Sequence, residues 1–137
     1  MRRITAEDLW TLAQTMWGEA RGEGPDGLGA VALVIRNRSQ DRRWSRFSIA
    51  GVCRQPWQFS VWNMGDPNRA KLLALSVDDA IFCACLRMAL DVLTGVQADY
   101  THGATHYYAE HLAPPYWAQG QALSAHIGQH LFFAGIV

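Results

Sequence analysis

Two helical patterns meet at a glycine-rich break, and that junction leaves the 137-residue chain few ways to fold. Thr5-x-x-Asp8 reads as a capping box, with Ile4 and Leu9 at the staple positions around it. From there Leu9, Leu12, Ala13, Met16 and Ala20 recur at helical spacing and form a narrow core-facing stripe. Glu19 falls on the flank of that stripe, in the last turn, where a side chain meets both core and cleft. Gly22 and Gly24 end the helix, and Glu23 between them is expected on a loop. Pro25, suited to a first helical turn, restarts the chain. Leu28 and the run Ala30 to Ile35 are apolar all round, which predicts a central, buried second helix. Arg36 and Arg38 close it at the negative end of its dipole.

Beyond this pair the signals are shorter. Gln40 to Arg46 reads as a polar loop with a small basic patch at Arg42, Arg43 and Arg46, and Ser48 as the cap of a helix over 49–54. In Pro56 to Trp62, Trp57, Phe59 and Val61 alternate with Gln58, Ser60 and Trp62, which predicts a strand or extended segment. A turn cluster, 63–68, precedes a short helix over 69–75. Ser76-x-x-Asp79 reads as a second capping box opening a helix over 77–93. That helix would carry Ile81, Cys85, Met88, Ala89 and Val92 on one face and end at Gly95. From Asp99 onward the chain is irregular, with β-prone segments at Thr105 to Tyr108 and Ile127 to Phe133. No repeat or linker interrupts it. The expectation is one α+β domain over 1–137, mainly helical with a small β region.

Composition narrows the function. Half the residues are hydrophobic and 18% are charged, as in a globular chain. Twelve Lys and Arg balance twelve Asp and Glu, so the basic footprint of a nucleic-acid binder is missing. Three cysteines make no disulfide framework, and Cys83-x-Cys85 has no second pair to hold zinc, so all three are read as buried thiols. No apolar run approaches about 18 residues, so no membrane span or insertion is expected. No apolar stretch follows Arg2 and Arg3, which predicts synthesis in the cytoplasm without a secretion signal. A monomer is expected.

One carboxylate stands out chemically. Glu19 lies beside Met16 and Trp17 in sequence, Trp57 and Phe59 could close over it, and a helix C-terminus disfavours its ionised form. A carboxyl in such a setting keeps its proton near neutral pH, which is what protonating a poor leaving-group oxygen requires.

The motifs then supply a context. Gly18-Glu19-Ala20-Arg21-Gly22-Glu23 is followed by Gly29-Ala30-Val31-Ala32 and Asn37-Arg38. Next come Gln58-Phe59-Ser60, Ala104-Thr105-His106-Tyr107-Tyr108 and Ile127-Gly128-Gln129-His130-Leu131-Phe132. This order resembles the catalytic domain of the SleB/CwlJ-type cell-wall hydrolases, the spore-cortex lytic enzymes and their phage relatives, over nearly the whole chain. The resemblance implies a small lysozyme-like domain acting on peptidoglycan glycan strands. The bond cleaved would join N-acetylmuramic acid and N-acetylglucosamine, with Glu19 as the essential carboxylate. Gln58 and Ser60 would face the sugar groove, and Tyr107 with His106 would line the opposite wall. His106 departs from many relatives, which have an aromatic residue before the paired position. Spore members carry a secretion signal and often a wall-binding domain; neither pattern occurs here, which favours a phage or prophage lysin released through a holin or its equivalent.

The number of carboxylates separates two mechanisms. Glycosidases normally use two, flanking the bond. Glu23 and Asp26, the only acids close in sequence, are read as loop polarity. With Glu19 alone, the sugar's own 6-hydroxyl serves as nucleophile and leaves a 1,6-anhydromuramyl end, so lytic transglycosylation is favoured over muramidase hydrolysis. Arg21 is either a sugar or stem-peptide ligand or, preferred here, a structural partner of Glu23 or a carbonyl. Trp57, Trp62 and Trp117 offer faces for sugar stacking, and Trp10 is read as packing. The rival chemistry is a zinc amidase using His102, His106, His111, His126 and His130, but neither His-x-x-x-His pair sits on a clear helix and no HExxH occurs. No metal or cofactor is expected. A third possibility is a non-catalytic wall-binding protein.

Overall fold

The computed structural model describes residues 3–44, 46–56 and 58–137. Five α-helices precede a three-stranded antiparallel sheet: α1 (Ala6–Ala20), α2 (Gly24–Gln40), α3 (Ile49–Arg54), α4 (Pro67–Leu73), α5 (Ala80–Leu93), β1 (His106–Ala109), β2 (Ala125–Ile127) and β3 (His130–Phe133). Short 3-10 turns occupy Ser60–Trp62 and Tyr116–Ala118.

The capping box at the start of α1 forms as expected. Asp8 N donates to Thr5 Oγ1 at 3.1 Å, and Thr5 N donates to Asp8 Oδ2 at 3.0 Å. The other Asp8 oxygen accepts from Ala50 N at 3.0 Å, so one buried carboxylate also holds the start of α3. Leu12, Ala13 and Met16 on α1 pack into a core with Val31, Leu33 and Ile35 of α2 and Phe82, Cys85, Ala89 and Val92 of α5. Every residue from Ala30 to Ile35 is buried, because α2 has helices against most of its girth and the sheet against the rest. Ala30 and Val34 carry that last contact, meeting Ala104 and Phe132. Asn37 Nδ2 donates to Asp99 Oδ2 and to Ala104 O, both at 2.9 Å, tying the end of α2 to the segment leading into β1.

In the sheet β3 lies between β1 and β2. Tyr107 is opposite Phe132, and Ile127 is opposite His130. The segment from Ile127 to Phe133 is therefore not one strand but the end of β2, a two-residue turn at Gly128 and Gln129, and β3. Gly128 adopts φ +56°, a left-handed conformation that suits glycine in a tight hairpin.

Three other expectations are corrected. Among the described residues, Pro56 to Trp62 forms no strand: Phe59 is extended, and Ser60–Trp62 winds into a 3-10 turn. The apolar alternation there serves different neighbours. Phe59 and Val61 enter the core, while Trp62 Nε1 donates to Thr15 Oγ1 at 2.8 Å. Trp57 lies outside the described residues. The second capping box does not form. Asp79, not Ser76, caps α5 by accepting from Phe82 N at 2.8 Å, and Ser76 Oγ accepts from Asp78 N instead. The helix thus begins at Ala80 and turns Phe82 inward, leaving Ile81 43% exposed. Finally, Trp44 in the supposed polar loop is buried, with Arg38 and Arg43 over its ring at 5.2 and 4.4 Å. The cysteines are free thiols, Cys53 and Cys85 buried and Cys83 only partly so.

Candidate active site

The last turn of α1 delivers Glu19 to the boundary between core and surface, where it is partly buried. Burial raises its carboxyl pKa from 4.5 to about 7. The Asp66 carboxylate pushes the same way, and the Arg38 guanidinium offsets part of the shift. Asp66 is the N-cap of α4, its Oδ1 accepting from Asn68 N at 2.8 Å. A second carboxylate thus lies within electrostatic reach of Glu19, contributed by a segment far along the chain.

Arg38 is the residue that sequence reasoning missed. Its place at the end of α2 suits the helix dipole, yet it is only 6% exposed. Its Nε donates to Thr105 O at 2.7 Å and its Nη1 to Gln58 Oε1 at 3.0 Å. The guanidinium lies over the rings of Trp44 and Phe59, at 5.2 and 5.3 Å. One side chain therefore joins the Gln58-Phe59 segment to the strand that carries His106 and Tyr107. A signal was present: position 38 continues the spacing of Val31 and Ile35, so it belongs to the buried face of α2.

Tyr107, on β1, lies within electrostatic reach of Glu19. Its ring stacks on Phe132 at 5.3 Å and meets His130 edge-on at 5.4 Å. Burial first, and the Glu19 charge second, hold its phenol pKa well above 10, so it remains a neutral hydroxyl beside the carboxyl. His106 sits between Trp44 and Trp117, at 5.9 and 4.9 Å, with Nδ1 2.8 Å from Thr105 Oγ1. Burial, then Arg38 and Arg43, push its pKa down to about 4, so it is an uncharged packing element near neutral pH.

Among the residues singled out from sequence, Glu19, Gln58, Phe59 and Tyr107 are gathered around Arg38. Gln58 and Ser60 are exposed and Phe59 is buried beneath them. Trp62 has committed its indole N–H to Thr15, and Arg54 lies 5.3 Å over its ring. Arg21 rests on the Trp17 ring at 4.2 Å and reaches Asn68 Oδ1 at 3.4 Å, an anchoring of α4 rather than of Glu23. Glu23 instead faces His130 Nδ1 at 3.5 Å. Trp117 packs against Tyr108 and Phe133, and Trp10 against Phe82. His126 pairs with Glu110 at 2.9 Å, and among the described residues no group of three His, Cys, Asp or Glu is placed to hold a metal ion.

A small sheet set beside a helical bundle, with one raised-pKa carboxyl at their junction, is the architecture of a lysozyme-like domain. The fold matches the catalytic domain of the Bacillus cereus SleB protein with a TM-score of 0.77 at 25% identity, covering 97% of this chain and 94% of that one. It matches the catalytic domain of the germination-specific lytic transglycosylase SleB from Bacillus anthracis with a TM-score of 0.75, also at 25% identity, covering 97% and 98% of the two chains. In sequence it is 31% identical over 125 residues to the spore cortex-lytic enzyme of Halalkalibacterium halodurans, covering 91% of this chain and 34% of that protein. It is likewise 31% identical over 129 residues to the spore cortex-lytic enzyme of Bacillus subtilis, covering 91% and 37%. The chain thus spans about a third of the length of these relatives. The family described as Cell Wall Hydrolase matches residues 22–133, and the chain belongs to that family. The matched segment begins three residues after Glu19, so the case for that carboxylate rests on its geometry and on the motif around it.

Proposed function

We propose that this chain cleaves peptidoglycan between N-acetylmuramic acid and N-acetylglucosamine as a lytic transglycosylase, with Glu19 as general acid and then base. The observation that carries this reading is the Glu19 carboxyl itself, half-sheltered beside a neutral phenol and holding its proton up to about pH 7. Glu19 gives that proton to the bridging oxygen as the bond from C1 of the muramyl sugar breaks. The 6-hydroxyl of the same sugar then bonds to C1, and its proton returns to Glu19. No water is consumed, and the acid is regenerated. General acid catalysis of this kind contributes typically about 10²–10⁴-fold. Gln58, Ser60 and Tyr107 are read as groove residues, Phe59 as the floor under Gln58, and a monomer as the working unit.

Asp66 supports a second reading. A carboxylate near the acid is what a muramidase needs to activate water. Its capping bond to Asn68 and its like-charge effect on Glu19 fit a structural role better. Two variants and one product analysis decide. Glu19→Gln should fold normally and lose lysis of purified peptidoglycan. Asp66→Asn should retain it under transglycosylation and lose about 10²-fold or more under hydrolysis. Mass spectrometry of the wild-type digest should find 1,6-anhydromuramyl ends; reducing N-acetylmuramic acid ends would establish hydrolysis instead.

A further inference from the structure

The two ends of the Gln58 carboxamide are not equivalent. One end meets Arg38 Nη1 at 3.0 Å, and an arginine offers donors only, so that end is the oxygen. Arg38 cannot turn away to accommodate a reversed amide. Its Nε donates to Thr105 O at 2.7 Å, its guanidinium lies 5.2 and 5.3 Å over the Trp44 and Phe59 rings, and it is almost wholly buried. Gln58 as a residue is nonetheless exposed. Its Nε2, with two N–H donors, is the end not spent on Arg38. The segment bearing it stands on the same guanidinium that moderates the Glu19 carboxyl.

We propose that Gln58 is a specificity residue that donates through Nε2 to the acetamido carbonyl oxygen of a sugar in the groove, and that Arg38 is the positioning residue that fixes the amide in this sense. The inference rests on the peptidoglycan reading above and adds what part of the glycan is recognised. A sugar hydroxyl rotates to donate or accept and has no need of a fixed donor. An acetamido oxygen accepts only, and both sugars of the strand carry one. Loss of the acetyl group leaves an ammonium, which has donors and no acceptor. Set against the Gln58 N–H groups and the Arg38 charge, it is actively rejected.

The test compares sacculi that are native, N-deacetylated, and deacetylated then chemically re-acetylated. Wild type should cleave native and re-acetylated sacculi about tenfold or more faster than deacetylated ones. Glu replaces Gln58 with the Arg38-facing oxygen kept and the donors removed, so Gln58→Glu should bring that ratio to within about twofold or invert it. Arg38→Lys, which keeps the charge and loses the planar fork, should lower the ratio with Gln58 still in place. The ratio is internal to each variant, so a change in overall rate through Glu19 cancels from it. A Gln58→Glu enzyme with the wild-type ratio overturns the assignment, as does a wild type indifferent to acetylation. A wild type that cleaves none of the three sacculi overturns the peptidoglycan reading itself.

Discussion

Glu19 makes the protonation state of one residue a property of the whole domain. Its carboxyl is raised in the folded chain, so between about 4.5 and 7 the folded state binds a proton that the unfolded chain releases. Stability from this group is therefore present at acid pH and is lost as pH rises through that window. Glu19→Gln removes the dependence. It should melt close to wild type at pH 4.5 and above it at pH 8, by on the order of 2 kcal/mol. Equal differences at both pH values would contradict the raised pKa. Activity should fall on the alkaline side of about pH 7 as the acid loses its proton. Glu19 was legible in the sequence because local spacing puts it at the rim of an apolar stripe. Arg38 and Asp66 were not. The partners of Arg38 are 67 and 20 residues away, and Asp66 acts across 47 positions, distances that no helical period encodes.

Elements with strong periodicity formed where the pattern places them: α1 with its capping box, α2 buried all round, and α3 capped by Ser48. Where two capping signals competed before α5, the one whose carboxylate reaches Phe82 N won, and the helix lost its first expected turn. The misread segment 56–62 shows how a period of two can arise without a strand, when successive apolar residues answer to separate parts of the core. The hairpin between β2 and β3 was hidden because a single glycine inside an apolar run is a weak turn signal. A Cβ at Gly128 would meet a left-handed backbone and lie 2.9 Å from a Glu23 carboxylate oxygen. Gly128→Val should therefore cost about 1–3 kcal/mol, read as a lowered denaturation midpoint. A neutral outcome would mean that the turn relaxes.

At the scale of the molecule, the α+β class followed from element order, whereas the lysozyme-like arrangement came from the motif resemblance and not from periodicity. The two relatives compared by sequence are spore cortex-lytic enzymes, and neither is a phage lysin. What the fold adds is connection. A 15-residue helix is about 22 Å long, so Asp8 and Glu19 stand near opposite ends of α1. Yet Asp8 grips Ala50 at the start of α3, and α3 leads directly into the segment that presents Gln58. A change at Asp8 thus reaches the Gln58 segment without passing near Glu19. Asp8→Ala should destabilise the chain by about 1–3 kcal/mol and raise KM for glycan fragments more than it lowers kcat. A proportionate fall in kcat alone would show that the two ends of α1 communicate through Glu19 instead. The foot of the first helix is thus the fixed point for the segment proposed to read the glycan, and on that proposal loosening it would surface as altered appetite for substrate before it surfaced as lost chemistry.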